Sequence, residues 1–275
     1  MKVAAIQMVS GVQLAPNLLQ ARAMLEDAAA QGAELAVLPE YFCLLGHDER
    51  DKLALQEPFG AGPIQQFLSA AASELGLWII GGTLPLVPPG GPAADGRASN
   101  SSLAFAPDGR CVARYDKMHL FRLDNGSEQF DESRTLVHGD APTLFDLPSR
   151  DGHQWRIGLS VCYDLRFPEL YRHYAQQGAD LLLVPSAFTW GTGQAHWQLL
   201  LRARAVENLA FVVAPAQGGV HENGRRTWGH TLAVDPWGTL LGEREQGAGV
   251  LLCELDAVLV EQRRRQLPAL GHRRL

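Results

Sequence analysis

Two stretches of this chain match almost position for position. Gly32-Ala33-Glu34-Leu35-Ala36-Val37-Leu38-Pro39 is echoed by Gly178-Ala179-Asp180-Leu181-Leu182-Leu183-Val184-Pro185. Each sets a glycine that stops a helix before an apolar run of buried-strand length. The flanking segments agree in the same order. Val3 opens a strand-like run that corresponds to the one at Ile157, and Leu77-Trp78-Ile79-Ile80 corresponds to Ala210-Phe211-Val212-Val213. Further on, Leu103-Ala104-Phe105-Ala106-Pro107-Asp108-Gly109 corresponds to Leu232-Ala233-Val234-Asp235-Pro236-Trp237-Gly238. Convergent strand and turn spacing can imitate a repeat, but a shared order of four segments points to two βαβ-type halves. The expected fold is α/β, with the halves packed as one unit and each sheet covered by helices on its outer face.

The helices follow from apolar spacing and stop signals. Asn17 to Gln31 carries Leu18, Leu19, Met24, Leu25 and Ala28, with Asn17 as an expected N-cap and Gly32 as the stop. Pro63 to Leu75 ends at Gly76, Pro168 to Gln177 ends at Gly178, and Gln194 to Leu209 runs into the strand Phe211 to Ala214. Pro85 to Ser99 is rich in Pro, Gly and Ala without periodicity and is expected to be a surface loop.

Bulk properties narrow the function classes. A chain of 275 residues can bury a large core, and all of residues 1–275 is expected to act as one domain. A net charge of −6 argues against general nucleic-acid binding, which needs a dense basic surface. The arginines at 263, 264, 265, 273 and 274 read more economically as a solvated tail or a subunit contact than as a phosphate site. The chain opens into the strand-like Lys2 to Met8, so no secretory signal is expected, and no apolar run approaches a membrane span. The four cysteines, at 43, 111, 162 and 253, form no CxxC pair, and the nine histidines show no HExxH spacing. A reduced, cytoplasmic protein without metal or cofactor is the expectation. No GxGxxG follows the first strand, which argues against dinucleotide binding.

Three polar residues stand where apolar strands end. Cys162 closes Ile157-Gly158-Leu159-Ser160-Val161 and precedes a turn and a helix opened by Pro168. A thiol at such an elbow can face outward, and a helix N-terminus or a cation can lower its pKa. Glu40 follows Leu35-Ala36-Val37-Leu38-Pro39, and Lys117 lies in Val112-Ala113-Arg114-Tyr115-Asp116-Lys117-Met118-His119. Alone, each has a plainer explanation: a small buried hydrophobe, a loop cap, a solvated strand end.

Together, and in the order Glu40, Lys117, Cys162, these segments resemble the catalytic triad of the nitrilase superfamily of carbon–nitrogen hydrolases. The resemblance runs from Lys2 to about Arg274. It implies a four-layer αββα sandwich, commonly a homodimer. It also implies a mechanism in which Cys162 forms a thioester, Glu40 moves the protons, and Lys117 with the Tyr163 N–H stabilises the oxyanion. Glu132, in Gln129-Phe130-Asp131-Glu132-Ser133-Arg134, matches a second glutamate of that superfamily that positions Lys and substrate, with neighbouring Glu128 as competitor. His119-Leu120-Phe121 is followed by Arg122 where Asp is usual, a departure in a loop at the pocket.

The second half narrows the resemblance. Thr192-Gly193-Gln194-Ala195-His196-Trp197, Gly229-His230-Thr231 and Asp235-Pro236-Trp237-Gly238 look like the deaminated glutathione amidase branch. That implies a small-molecule amide substrate, a 2-oxoglutaryl group joined to Cys-Gly, with ω-amidase action on 2-oxoglutaramate as the alternative. Arg166 and His196 are candidates for gripping a substrate carboxylate. A true nitrilase uses the same triad, but the flanking motifs look like the amidase branch. A binding protein descended from such an enzyme would be expected to have lost one of the three residues. An acyltransferase of the superfamily would usually carry membrane spans.

Overall fold

The structure, a computed structural model, describes residues 1–126 and 129–274. The first half opens with β1 (Lys2–Gln7), α1 (Leu14–Ala30), β2 (Leu35–Val37), α2 (Pro63–Leu75) and β3 (Trp78–Ile80). It continues through β4 (Leu84–Leu86), β5 (Ala98–Phe105), β6 (Cys111–Asp116), a short hairpin of β7 (Arg122–Asp124) and β8 (Gln129–Asp131), and β9 (Leu136–Val137). The second half contains β10 (Thr143–Pro148), β11 (Gln154–Leu159), α3 (Pro168–Gln176), β12 (Leu181–Leu183), α4 (Trp190–Asn208) and β13 (Phe211–Ala214). After these come the hairpin of β14 (Gly218–Val220) and β15 (Arg226–Trp228), then β16 (Thr231–Val234) and β17 (Leu240–Arg244). β18 (Gly249–Glu254) and α5 (Ala257–Gln266) complete the regular elements.

The repeat read from the sequence reappears as identical strand pairing. In the first sheet β1–β2 and β2–β3 are parallel, while β3–β5 and β5–β6 are antiparallel. In the second sheet β11–β12 and β12–β13 are parallel, while β13–β16 and β16–β17 are antiparallel. Each sheet gains one antiparallel edge strand beside its first parallel strand, β18 on β1 and β10 on β11. The parallel pairs are joined by crossovers through α1, α2, α3 and α4, as parallel pairing requires.

Alternation along the strands assigns the layers. Ala4, Ile6, Ala36, Leu38 and Ile79 pack with Ala21, Leu25, Leu68 and Ala72 of α1 and α2. Their neighbours Val3, Ala5, Leu35, Val37 and Ile80 point the other way and join Ile157, Leu159, Leu181 and Leu183 of the second sheet. Gly158 faces α3, where an added Cβ would lie 2.7 Å from the Tyr174 ring. The result is four layers, helices–sheet–sheet–helices. The sheets also meet at one end, where the Thr231 N–H donates to Gln7 Oε1 at 3.0 Å, and the β14–β15 hairpin joins there through the Gly218 N–H, which donates to the Met8 carbonyl at 2.9 Å.

Three local expectations are corrected. α1 begins at Leu14 after the N-cap Gln13, so Asn17 is not a cap. Its buried amide instead ties Gly11 (2.7 and 2.9 Å) and the Cys43 carbonyl (2.9 Å) to the first turn, where Pro16 is tolerated. α4 begins at Trp190, four residues before Gln194, because Gly193 lets the helix approach Trp228 (an added Cβ would lie 2.2 Å away). The stretch expected as one loop from Pro85 to Ser99 has its ends in β4 and β5, which pair with each other, so sheet pairing overrides local Pro and Gly content there.

Candidate active site

The strands that point the same way end on one edge, where open α/β sheets place their ligands. Glu40 lies beyond β2, Lys117 directly after β6, Cys162 beyond β11, and Ala187 beyond β12. Lys117 is 1 % exposed and lies between two carboxylates, with Nζ 2.9 Å from Glu40 Oε1 and 2.8 Å from Glu132 Oε2. Glu40 is held on three sides: by Lys117, by Asn100 Nδ2 at 3.1 Å, and by the Ala187 N–H, which donates to Oε2 at 2.9 Å. Glu132 accepts from Tyr41 Oη and from the Phe121 N–H, both at 2.7 Å. Glu40, Glu132 and Cys162 line one narrow cavity of about 20 Å³, where Phe121 and Phe188 form apolar walls.

Cys162 starts a short 3₁₀ turn with φ 50°, a left-handed conformation costly for a side chain and held by its surroundings. Its N–H donates to the Pro185 carbonyl at 3.0 Å, and the Asp164 N–H to the Val161 carbonyl at 3.0 Å. Asp164 fastens this turn to the segment carrying Lys117. One carboxylate oxygen accepts from the Val161 N–H (2.8 Å) and Tyr115 Oη (2.7 Å), the other from the His119 N–H (3.0 Å). The His119 ring stacks on Phe167 at 3.7 Å. Thus both sides of Lys117 are clamped to the cysteine turn.

A second clamp supports Glu40. Gly82 has φ 49°, and a Cβ there would lie 2.0 Å from the Pro39 carbonyl oxygen, so this close approach requires glycine. Thr83 Oγ1 accepts from the Tyr41 N–H at 2.9 Å, which fixes the residue after Glu40 at φ 56°.

Burial first, then the negative charge of Glu40, pushes the Cys162 thiol well above its usual pKa, and Lys117 only partly opposes this. The sequence allowed a thiol lowered by a nearby cation; the structure raises it instead, because the cation is already shared by two carboxylates. Burial would strip the proton from Lys117, but Glu132 and Glu40 outweigh it and hold the ammonium well above its ordinary range. Glu132 is opposed by burial, yet Lys117 and then Lys52 keep it below the usual carboxylate value.

The remaining candidates divide. The N–H of Tyr163, second residue of the turn, makes no backbone hydrogen bond among the described residues, as expected where a helix starts. Its ring packs edge-on against Phe121 and Phe167. Arg166 lines the cavity, stacked 5.5 Å from the Phe188 ring, whereas His196 is exposed and lies 3.2 Å from Arg166. Glu128 lies outside the described residues. Sequence reasoning missed Asn100, Tyr41, Arg225 and the Ala187 N–H. Tyr41 adjoins Glu40 and was the one with a local signal; a backbone N–H carries none. Among the described residues no group of three or more His, Cys, Asp or Glu is placed to hold a metal ion.

Comparison with known proteins fits this geometry. The carbon-nitrogen hydrolase family matches residues 2–265. A deaminated glutathione amidase from Synechocystis is 41% identical over 272 residues, 98% of this chain and 97% of the relative. The human omega-amidase NIT2 is 34% identical, over 99% of this chain and 95% of its own length. The crystal structure of Saccharomyces cerevisiae Nit3, a member of branch 10 of the nitrilase superfamily, matches with TM-score 0.85 and 31% identity, covering 98% of this chain and 94% of that one. The chain belongs to the carbon-nitrogen hydrolase family, within the nitrilase superfamily, and is a cysteine-dependent amidase.

Proposed function

We propose that the chain hydrolyses deaminated glutathione to 2-oxoglutarate and Cys-Gly, with Cys162 as nucleophile. The observation that carries the mechanism is the buried Glu40–Lys117–Glu132 cluster, whose two carboxylates line the cavity of the Cys162 thiol while Lys117 lies buried between them. An amide is a poor electrophile, so it needs a strong nucleophile and a stabilised oxyanion. Glu40 takes the thiol proton as sulfur attacks the carbonyl carbon. Moving a proton from Cys162 to Glu40 leaves the net charge of the cluster unchanged, so a thiolate forms there without a new counter-ion. The ammonium of Lys117 has three N–H donors, two of them directed at Glu40 and Glu132. The third serves the oxyanion together with the Tyr163 N–H. The tetrahedral adduct collapses, the amine leaves with the proton from Glu40, and a thioester remains. Glu40 then deprotonates the attacking water, and the sulfur departs to regain its proton as the acid is released. Glu132 and Tyr41 hold Lys117 in place.

The substrate follows from the branch motifs and from relatives named for that activity. Arg166 is the group assigned to the acyl-side carboxylate, with His196 positioning it. The second reading is an ω-amidase, for which the human relative speaks. Side-by-side mass-spectrometric assay of deaminated glutathione and 2-oxoglutaramate, with Cys162→Ala as control, decides between them. Preference for the first supports the assignment, and preference for the second replaces the substrate but keeps the chemistry.

The whole chain is assigned to one catalytic unit acting as a homodimer in the cytoplasm. Support for the dimer comes from apolar side chains left exposed on α4 and α5, Leu199 at 70 % and Val258 at 54 %. Four unpaired cysteines suit a reducing compartment. No helix of the described residues is long and apolar enough to cross a membrane. Light scattering of the purified protein tests the dimer, and a monomeric mass would remove it.

A further inference from the structure

The cavity at the Cys162 thiol borders a far larger one, with which it shares four lining residues. The inner space is about 20 Å³, little more than a water-sized group needs, and the outer space is about 460 Å³. Tyr41, Phe121, Glu132 and Arg225 line both. Most of any substrate beyond the reacting carbonyl must therefore lie outside the inner cavity, and Arg225 stands at the junction.

Arg225 is an unusual cation. Its Nε is buried and has no hydrogen-bond partner, and its guanidinium makes no ion pair among the described residues. It lies over the Phe130 ring at 5.0 Å. Lys52 shares the outer cavity, its ammonium 4.9 Å from the centre of the Tyr41 ring. The acids nearby do not neutralise Arg225. Both oxygens of Glu132 are taken by Lys117, Tyr41 and Phe121, Asp48 accepts from the Arg50 N–H, and Glu49 acts on Lys52. A buried donor left unpaired costs roughly 1–3 kcal/mol, so such a group points to an absent acceptor.

The position is also rigid. Arg225 lies in the turn between β14 and β15, where Asn223 Oδ1 accepts from its N–H at 2.8 Å. Asn223 Nδ2 donates to the Leu45 and Gly46 carbonyls at 3.1 and 2.6 Å, and His221 lies 2.9 Å from the Ser10 carbonyl and 2.7 Å from Thr227 Oγ1. The turn from the second half is thereby pinned to loops of the first, which fixes the backbone that presents Arg225 to the cavity.

We propose that Arg225, with Lys52, forms a carboxylate subsite for the leaving-group half of the substrate, so that the enzyme selects amides whose departing amine carries its own carboxylate. This rests on the amidase reading above and sharpens it. A dipeptide acid spans about 7 Å from its amino nitrogen, which carries its terminal carboxylate out of the inner cavity. Ammonia, the product from a primary amide, has nothing to place there. An Arg–carboxylate pair is planar and bidentate, and it gives selectivity as well as affinity.

The test is a cycle between ligand and protein. The wild-type enzyme and Arg225→Gln are each assayed with deaminated glutathione, with its C-terminal carboxamide, and with 2-oxoglutaramate. The expected result is that removing either the carboxylate or the guanidinium raises KM about 10- to 100-fold, with no further rise when both are removed. Lys52→Gln gives a smaller rise in the same direction. Equal turnover of acid and carboxamide by the wild type overturns the subsite, and this arm does not depend on the variant folding. Equal losses on all three substrates in Arg225→Gln overturn it as well, since that marks a structural role. Cleavage of 2-oxoglutaramate without cleavage of the peptide amide overturns the substrate assignment itself, and the subsite with it.

Discussion

The Ala187 N–H donates to Glu40 Oε2 across 147 residues of chain, at 2.9 Å. In the internal repeat Glu40 aligns with Ser186, so equivalent turns of the two halves meet here: one supplies the carboxylate and the other a backbone donor. Asn100 and Lys117 occupy Oε1 of the same group. The carboxylate that is proposed to move protons therefore has a fixed orientation, which general acid–base transfer requires.

Cys162 is expected to be protonated at neutral pH, because burial and Glu40 raise its pKa well above the ordinary thiol value. Its alkylation by iodoacetamide should therefore climb with pH without levelling off below about pH 9. Mapping the modified peptide by mass spectrometry separates it from exposed Cys111. A plateau near neutrality would contradict the raised pKa. Cys162→Ala should remove turnover entirely while leaving the circular dichroism spectrum unchanged.

Lys117→Gln should lose activity by at least about 10²–10³-fold, the cost of removing an oxyanion donor. It should also be destabilised by about 3–5 kcal/mol in urea titration, because two buried carboxylates lose their counter-ion. A loss of only a few-fold would leave Lys117 with a structural role alone.

Glu132 makes stability depend on pH. Its folded pKa lies below the unfolded value, so its contribution is present above about pH 4.3 and is lost as pH falls through the folded value. Glu132→Gln should flatten that acid limb in urea midpoints measured from about pH 3 to 7. An unchanged slope would assign the acid sensitivity to other carboxylates.

Gly82→Ala should cost about 1–3 kcal/mol, since the added Cβ would strike the Pro39 carbonyl at a positive φ. Because Pro39 precedes Glu40, kcat should fall more than KM changes. Wild-type melting and wild-type kinetics in this variant would show the loop to be softer than its packing implies.

Much of this architecture was legible from residue order. Gly32 to Pro39 and Gly178 to Pro185 do lead through β2 and β12, and the strands flanking them pair in the same parallel and antiparallel sense in both sheets. Helix limits were less so: α4 starts at Trp190 because Gly193 meets Trp228, a contact between residues 35 apart in the chain. Local Pro and Gly content also misread the ends of the 85–99 stretch, where pairing with each other makes strands of β4 and β5.

For the site, the sequence alone determined which residue types end the apolar strands: Glu40, Lys117 and Cys162 are visible because a charged or reactive group is costly beside a buried strand. Tertiary structure decided what each one meets. That Lys117 is shared by two carboxylates, that the thiol is raised rather than lowered, and that the buried Arg225 Nε has no hydrogen-bond partner among the described residues all depend on how segments far apart in the chain pack, with contacts across 15 to 147 residues. Electrostatic energies vary steeply with separation and burial, and neither quantity is set until the two sheets have packed.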